Sequence, residues 1–152
     1  MTLQYSKKVI QNFKHPKNMG EIKNPDGIGR VGNPRCGDIM EVYIKVRKNK
    51  SGKEIIHDIK FRTFGCMAAI ASSSILTQIA KGKELLKAEK IKYKDIVKYL
   101  GGLPKIKIHC STMATEGLKR AILDYKKKSS IVTNSPKSQI KAILDYKSKK
   151  EK

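Results

Sequence analysis

Two short segments with alternating apolar and polar side chains constrain the fold of this chain more than any other feature. Residues 39–46 (IMEVYIKV) place Val42, Ile44 and Val46 on one face, and residues 55–64 alternate in the same way. The residues between them, 48–53 (KNKSGK), are polar and include a glycine. Alternation with a period of two is the pattern of a half-buried strand, and a polar turn containing glycine can join two such strands. The sequence therefore predicts a β-hairpin.

The pattern changes from strands to helices after the hairpin. Small and apolar residues fill 67–82, which predicts a buried helix that ends at Gly82. Residues 110–126 carry apolar side chains at helical spacing and predict a second long helix, whereas 93–100 predict a small surface helix. A short N-terminal helix is predicted to stop before Pro16, because the residue before proline disfavours the helical region.

Glycine and proline are dense between residues 18 and 38, where seven of these residues occur. Such clusters interrupt regular secondary structure and are typical of turns and loops. The sequence therefore predicts a flexible, exposed loop around a short strand near residues 29–32.

The composition fits one main domain with an appended tail. The chain has 152 residues, of which 39% are apolar, enough for one modest core. We predict a domain over residues 1–128 and a basic C-terminal tail, partly helical or disordered, over 129–152. The serine-rich stretch 129–138 is predicted to be a linker. The hexapeptide AILDYK occurs twice, at 121–126 and again at 142–147, which we interpret as a local duplication.

The net charge of the chain limits the kinds of partner that the protein can have. The formal charge is +21, because 34 Lys and Arg face 13 Asp and Glu. Such an excess favours acidic partners, protein or nucleic acid. The lysines are scattered and the chain has no Trp, which makes a solvated surface the better interpretation and nucleic acid an unlikely partner.

The longest apolar run, residues 66–71, is too short for a membrane-spanning helix, and the N-terminus lacks a signal-peptide pattern. We expect a cytoplasmic protein without membrane attachment.

The three cysteines lie where the predicted structure changes. Cys36 is in the glycine-rich loop, Cys66 lies between strand and helix, and Cys110 begins the last long helix. A helix N-terminus lowers the pKa of a thiol and favours the thiolate that metal binding or sulfur transfer requires. An odd number of cysteines in a reducing compartment indicates thiol or metal chemistry rather than disulfides. Asp38 and His109 lie beside two of these cysteines.

Each of two segments can thus deliver one sulfur and one harder donor to a common centre. A free cysteine is most often a buried, space-filling residue, and Cys66 taken alone fits that interpretation. No C-x-x-C pair occurs, so ligand spacing does not support a zinc finger, and spacing alone does not name the metal. We give His15 and His57 no role in the site. The candidate ligands are Cys36, Asp38, Cys66, His109 and Cys110.

Four segments resemble the IscU-type iron–sulfur cluster assembly scaffold family, which includes the N-terminal domain of NifU. They are residues 5–20 (YSKKVIQNFKHPKNMG), 33–40 (NPRCGDIM), 63–74 (TFGCMAAIASSS) and 103–111 (LPKIKIHCS). The resemblance covers roughly residues 1–126. It implies an α+β fold, a small three-stranded antiparallel sheet covered by helices on one side. It also implies that iron and a [2Fe-2S] cluster are bound by Cys36, Asp38, Cys66, His109 and Cys110. In the cluster-free form, the same residues are expected to bind zinc.

The resemblance implies a function as a scaffold and carrier rather than an enzyme. Such a protein accepts sulfur from a cysteine desulfurase, binds iron, assembles a cluster and transfers it to apo-proteins. Cys110 is the first and Cys36 the second candidate for the sulfur acceptor, with Cys66 last. The implied partners are a cysteine desulfurase, Hsp70 and J-type chaperones, a frataxin-like protein or ferredoxin, and recipient apo-proteins. The family's chaperone motif has two prolines after its leucine, whereas Lys105 replaces the second here.

The sequence is also compatible with two functions of other classes. The first is a basic zinc-binding module that contacts nucleic acid. The second is a thiol transferase that uses a cysteine and a histidine. A metal-free catalytic arrangement of imidazole and thiolate would favour the transferase, and DNA binding that persists at high salt would favour the zinc module.

Overall fold

The computed structural model describes residues 4–33 and 37–133. Within these residues, helices cover a small antiparallel sheet with the strand order β1-β2-β3. The elements in chain order are α1 (Lys7–Lys14), β1 (Gly27–Asn33), β2 (Asp38–Lys48), β3 (Glu54–Thr63), α2 (Met67–Ala80), α3 (Leu85–Ala88), α4 (Tyr93–Tyr99) and α5 (Ile108–Thr133), with a 3-10 turn at Lys105–Lys107. The α+β prediction is therefore confirmed. None of the described helices is both long enough and apolar enough to cross a membrane.

The predicted hairpin is formed by β2 and β3. Val42 lies opposite Phe61 in the antiparallel register, and both side chains are fully buried. In the connecting turn, Asn49 Oδ1 accepts a hydrogen bond from the backbone N–H of Lys53 at 3.0 Å. Gly52 has a φ of 79°, a conformation that other residues adopt at a cost. Alternating burial and turn chemistry thus agree with the sequence prediction.

Strand β1 departs from the prediction of an exposed loop. Gly27, Gly29 and Val31 are buried, and the strand is longer than the predicted 29–32. A Cβ atom on Gly29 would lie 2.0 Å from the carbonyl oxygen of Gly117 in α5. The glycines therefore let a helix backbone lie directly on the strand. The prediction of an exposed loop is wrong for this strand.

Helix α2 lies at the centre of the described fold and is buried along most of its length. It packs against α1, α5 and β3. The hydroxyl groups of Ser72 and Ser111 are 2.9 Å apart and join α2 to α5 in the buried interior. The surface helix α4 contributes Ile96 and Leu100 to the core, as its periodicity predicts. The predicted helices over 67–82 and 93–100 are both confirmed.

Helix α5 begins two residues earlier than predicted and continues to Thr133. It passes the predicted domain boundary at residue 128 and covers residues 129–133 of the predicted linker. Residues 134–152 lie outside the described residues, so the partly helical or disordered tail stays a prediction.

Candidate metal centre

One end of the sheet brings together residues that are distant in sequence. Asp38 begins β2, Cys66 is the N-cap residue of α2, and His109 and Cys110 lie in the first turn of α5. The start of one strand and the starts of two helices therefore meet at this point. Of the five predicted ligands, the structure brings these four together. Cys36 lies outside the described residues.

The thiol of Cys110 lies at the centre of the group. Its Sγ is 3.5 Å from Cys66 Sγ, 3.6 Å from His109 Nε2 and 3.9 Å from Asp38 Oδ2. One ligand atom each from Asp38, His109 and Cys110 fits within 4.8 Å of the other two. Donors this close can bind the same metal ion, since iron and zinc bond to sulfur, nitrogen and oxygen at roughly 2.0–2.3 Å.

Gly65, which precedes Cys66, is tightly enclosed between the first turn of α2 and Asp38. A Cβ atom at this position would lie 2.6 Å from Ala69 Cβ and 3.2 Å from Asp38 Cγ. The Gly65 N–H donates to the Thr63 hydroxyl oxygen at 3.1 Å, which fixes the turn between β3 and α2. Any side chain at residue 65 would therefore displace either the first turn of α2 or Asp38.

The two described cysteines differ in their protonation. The hydrogen bond from the Cys110 thiol, the backbone N–H groups of Ala69 and Ala68, and the charge of Lys107 lower the pKa of Cys66 to about 5. The pKa of Cys110 is raised, because its thiol donates to Cys66, lies buried and faces negative charge from Cys66 and Asp38. The sequence argument from the helix dipole predicts a lowered pKa for both thiols and is wrong for Cys110.

Two further residues of the site were missed by sequence reasoning. The pKa of Lys107 is raised, first by the negative charge of Cys66, which places its ammonium group beside the cysteine pair. The pKa of Tyr5 is raised by burial and then by the charge of Cys66. Lys107 lies two residues before His109 and ends the 3-10 turn Lys105–Lys107, which the sequence pattern does not predict.

Access to the site differs from one ligand to the next. Cys110 and Asp38 are buried, whereas Cys66 is only half-buried. Three large apolar side chains close in sequence to the site residues are open to solvent: Phe64 is 73% exposed, Ile106 is 66% exposed and Ile39 is 49% exposed. The backbone N–H of Phe64 donates to the Ile39 carbonyl oxygen at 3.1 Å, so two of the three lie side by side. We call these three side chains the apolar rim of the site, and Cys66 is the described cysteine that a reagent reaches more easily.

A known protein family matches most of the chain, including the residues of this site. The family model described as the NifU-like N terminal domain matches residues 4–132. The chain belongs to the NifU-like N-terminal domain family. Its matched region contains every candidate ligand, Cys36 included.

Named members of the family are close in sequence. The chain is 53% identical over 125 residues to the iron–sulfur cluster assembly scaffold protein IscU 1 of Archaeoglobus fulgidus, covering 82% of this chain and 78% of that protein. It is 49% identical over 129 residues to the IscU scaffold protein of Escherichia coli K12, covering 83% and 97%. In fold it is similar to the crystal structure of a nitrogen-fixing NifU-like protein (N-terminal) from Brucella abortus, with a TM-score of 0.61, 18% identity, and 81% and 94% coverage.

Selective alkylation tests the described site in this NifU-like domain. In metal-free, reduced protein at neutral pH, we expect iodoacetamide to modify Cys66 at least about tenfold faster than Cys110, because Cys66 is both more accessible and more acidic. Peptide mass spectrometry over time measures the two rates. Faster modification of Cys110 would contradict the described accessibility, and equal rates in urea serve as the control.

Proposed function

We propose that this chain is a scaffold on which an iron–sulfur cluster is assembled and from which the cluster is passed to apo-proteins. The observation that carries the proposal is the Cys66–Cys110 sulfur pair, 3.5 Å apart, with the carboxylate of Asp38 and the imidazole of His109 around it. The relatives named as scaffold proteins IscU support the same function. The cluster is cargo here, and the chain acts as a carrier rather than an enzyme.

The ligand set suits temporary binding. Stable [2Fe-2S] centres usually have four thiolate ligands. Our proposed set has three thiolates, from Cys36, Cys66 and Cys110, together with Asp38 and His109. A carboxylate is a harder ligand than a thiolate and binds iron of a sulfide cluster less strongly. A [2Fe-2S] cluster on these ligands is therefore held weakly enough to be transferred. Zinc fits the same thiolate and imidazole donors when no cluster is present.

Sulfur enters this site by thiol chemistry. A thiolate of the chain attacks the outer sulfur of a persulfide on a cysteine desulfurase, so that one S–S bond forms, the other breaks and the thiolate of the desulfurase leaves. No net oxidation takes place in this exchange. Conversion of each carried sulfur to sulfide requires two electrons, for which we propose a ferredoxin-like donor. Cys110 and Cys36 remain our proposed acceptors because the family resemblance implies them, although in the described conformation Cys66 is more accessible than Cys110 and its pKa is the lower of the two.

The apolar rim supplies a surface for the proteins that exchange cargo with the site. Phe64, Ile39 and Ile106 are exposed and lie within three residues of site residues in the chain, and Lys107 adds a positive charge. Exposed apolar groups clustered beside a buried site are typical of protein contact surfaces. We propose that a cysteine desulfurase, a frataxin-like protein and recipient apo-proteins use this rim, and that Hsp70 and J-type chaperones bind the adjacent segment 103–107.

Anaerobic reconstitution tests the proposed function directly. Incubation with ferrous iron and sulfide under reducing conditions is expected to give a coloured protein with iron and acid-labile sulfide in a ratio near one. Mössbauer spectroscopy then identifies the cluster type. Transfer to an apo-ferredoxin, followed by its circular dichroism, measures release. A protein that binds zinc but never a cluster would contradict the proposal, and neither the relatives nor the geometry favours the nucleic-acid module or the thiol transferase.

The carboxylate of Asp38 is expected to control release. In Asp38→Ala, assembly should proceed, whereas transfer to apo-ferredoxin should slow by about fivefold or more, because the most readily exchanged ligand is lost. Transfer kinetics monitored by circular dichroism provide the measurement. Glu116→Ala is the matched control, since Glu116 forms a solvent-exposed ion pair with Arg120. Faster loss of the cluster from Asp38→Ala than from the wild type would show that Asp38 retains the cluster instead.

A further inference from the structure

The duplicated hexapeptide AILDYK is the one sequence motif that the proposed function leaves without a role. Its first copy, residues 121–126, forms part of α5. Its second copy, residues 142–147, lies outside the described residues. The contacts of the first copy show what the same six side chains are able to bind.

The first copy lies directly on the backbone of β1. Ala121 and Ile122 are fully buried. A Cβ atom on Gly27 would lie 2.2 Å from the Ala121 carbonyl oxygen and 3.1 Å from Tyr125 Cβ. A Cβ on Gly29 would lie 2.6 Å from the Ala121 nitrogen. The glycines of β1 therefore form a shallow groove, which we call the β1 groove, and in which the helix backbone at Ala121 lies directly against the strand.

Polar contacts fix the same segment in one register. Asp124 Oδ2 accepts a hydrogen bond from the Ile28 backbone N–H at 2.9 Å, which satisfies a donor on the edge of the sheet. The Tyr125 hydroxyl donates to Glu54 Oε1 at 2.6 Å. Lys126 Nζ lies 2.6 Å from Glu89 Oε1.

The side chain of Leu123, by contrast, is 52% exposed. Five of the six side chains of the first copy are thus buried or form a polar contact, and Leu123 is the exception. The second copy repeats all five of these side chains in the same order.

We propose that residues 142–147 are a second ligand of the β1 groove, which occupy it in the same chain when residues 121–126 are displaced. Identical side chains can form identical contacts with Gly27, Ile28 and Glu54. The cost of closing the intervening chain, residues 121–141, rises only slowly with its length. A tethered segment also has an effective concentration on the order of millimolar, which favours the same chain over a neighbouring one.

The residues that precede each copy limit the exchange to the end of α5. Gly117 and Leu118 precede the first copy, whereas Ser138 and Gln139 occupy the equivalent positions before the second. A Cβ atom at residue 117 would lie 2.9 Å from Val42 Cγ2, so a serine does not fit there. Residues 108–120 therefore keep their place during the exchange, and Cys110 stays with them.

The first copy is the normal occupant, since it continues a helix that is already in place. The second copy binds the β1 groove only when the first copy has left it or carries a substitution that weakens its contacts. The exchange therefore makes the C-terminal half of α5 replaceable while the candidate metal centre is unchanged.

Four full-length proteins test this proposal: the wild type, Ile122→Asp, Ile143→Asp and the double variant. Urea unfolding followed by far-UV circular dichroism gives the equilibrium constant of each. We expect Ile143→Asp to change that constant less than twofold in the wild type but at least tenfold in the Ile122→Asp background. Equal small effects in both backgrounds would overturn the proposal. Should Ile122→Asp fail to fold, Ile122→Ala replaces it in the same comparison.

Hydrogen exchange identifies the occupant directly. In Ile122→Asp, peptides that contain residues 142–147 should exchange at least about tenfold more slowly than in the wild type. Leu144→Asp is the matched control, because its counterpart Leu123 is exposed, and it should not alter this protection. Protection that increases with protein concentration would show exchange between chains and would overturn the proposal of exchange within one chain.

Discussion

Substituting Gly29 with alanine is expected to destabilise the domain by about 3 kcal/mol or more, the upper end of the range for overpacking. The added Cβ atom would lie 2.0 Å from the Gly117 carbonyl oxygen and 2.6 Å from the Ala121 nitrogen. Both atoms belong to the backbone of α5, so no side-chain rotation can relieve the contact. The helix must move away from β1, which weakens the packing of Ala121 as well. Chemical unfolding of the purified variant measures the loss.

Gly32→Ala provides the matched control in the same strand. Its nearest described neighbour is the Asp38 carbonyl oxygen at 3.9 Å, an ordinary van der Waals distance. We expect a change below about 1 kcal/mol, because alanine loses less backbone entropy than glycine and meets no obstacle here. Equal losses from Gly29→Ala and Gly32→Ala would show that strand propensity, rather than contact with α5, determines the effect.

The elements that the sequence predicted correctly are those with a local signal. The alternation of apolar and polar side chains between residues 39 and 46 indicates a strand with one buried face. The polar turn with Gly52 indicates that the chain reverses its direction there. Helix α2 is recognisable from its small and apolar residues and from Gly82 just after its end. In each of these elements, side chains within one segment carry the information.

Strand β1 shows where a local signal is missing. Glycine has no side chain that could display alternation, so Gly27 and Gly29 resemble loop residues in the sequence. Their role depends on Gly117 and Ala121, about 90 residues further along the chain. Only the close approach of α5 distinguishes a glycine that is buried under a helix from one that permits a turn.

Four of the five candidate ligands lie close together, as the sequence predicts, but their protonation does not follow from the sequence. The placement of Cys66 and Cys110 at helix starts follows from the sequence, and the structure brings both beside Asp38 and His109. Their opposite pKa shifts do not follow from the helix dipole. They arise because two thiols 3.5 Å apart share one hydrogen bond, so that a thiolate on one stabilises the thiol on the other.

Replacing Cys110 with serine is expected to lower the yield of reconstituted cluster at least about tenfold. Cys110 Sγ lies within 3.9 Å of Cys66, His109 and Asp38, so it is close to each of the other described candidate ligands. A neutral hydroxyl oxygen is a poor replacement for a soft thiolate as an iron ligand. Bound iron and acid-labile sulfide per chain, measured after anaerobic reconstitution, give the yield.

The fold of Cys110→Ser should survive, which separates loss of a ligand from loss of structure. Serine is close to cysteine in size, and its hydroxyl can still donate to the Cys66 thiolate or the Asp38 carboxylate, so the buried position keeps a hydrogen bond. We expect its melting temperature to stay within a few degrees of the wild type, as for the control Thr112→Ser on the same helical turn, where the side chain is exposed. Wild-type cluster yield from folded Cys110→Ser would exclude Cys110 as an essential ligand and leave Cys36 and Cys66 as the thiolates that hold the cluster.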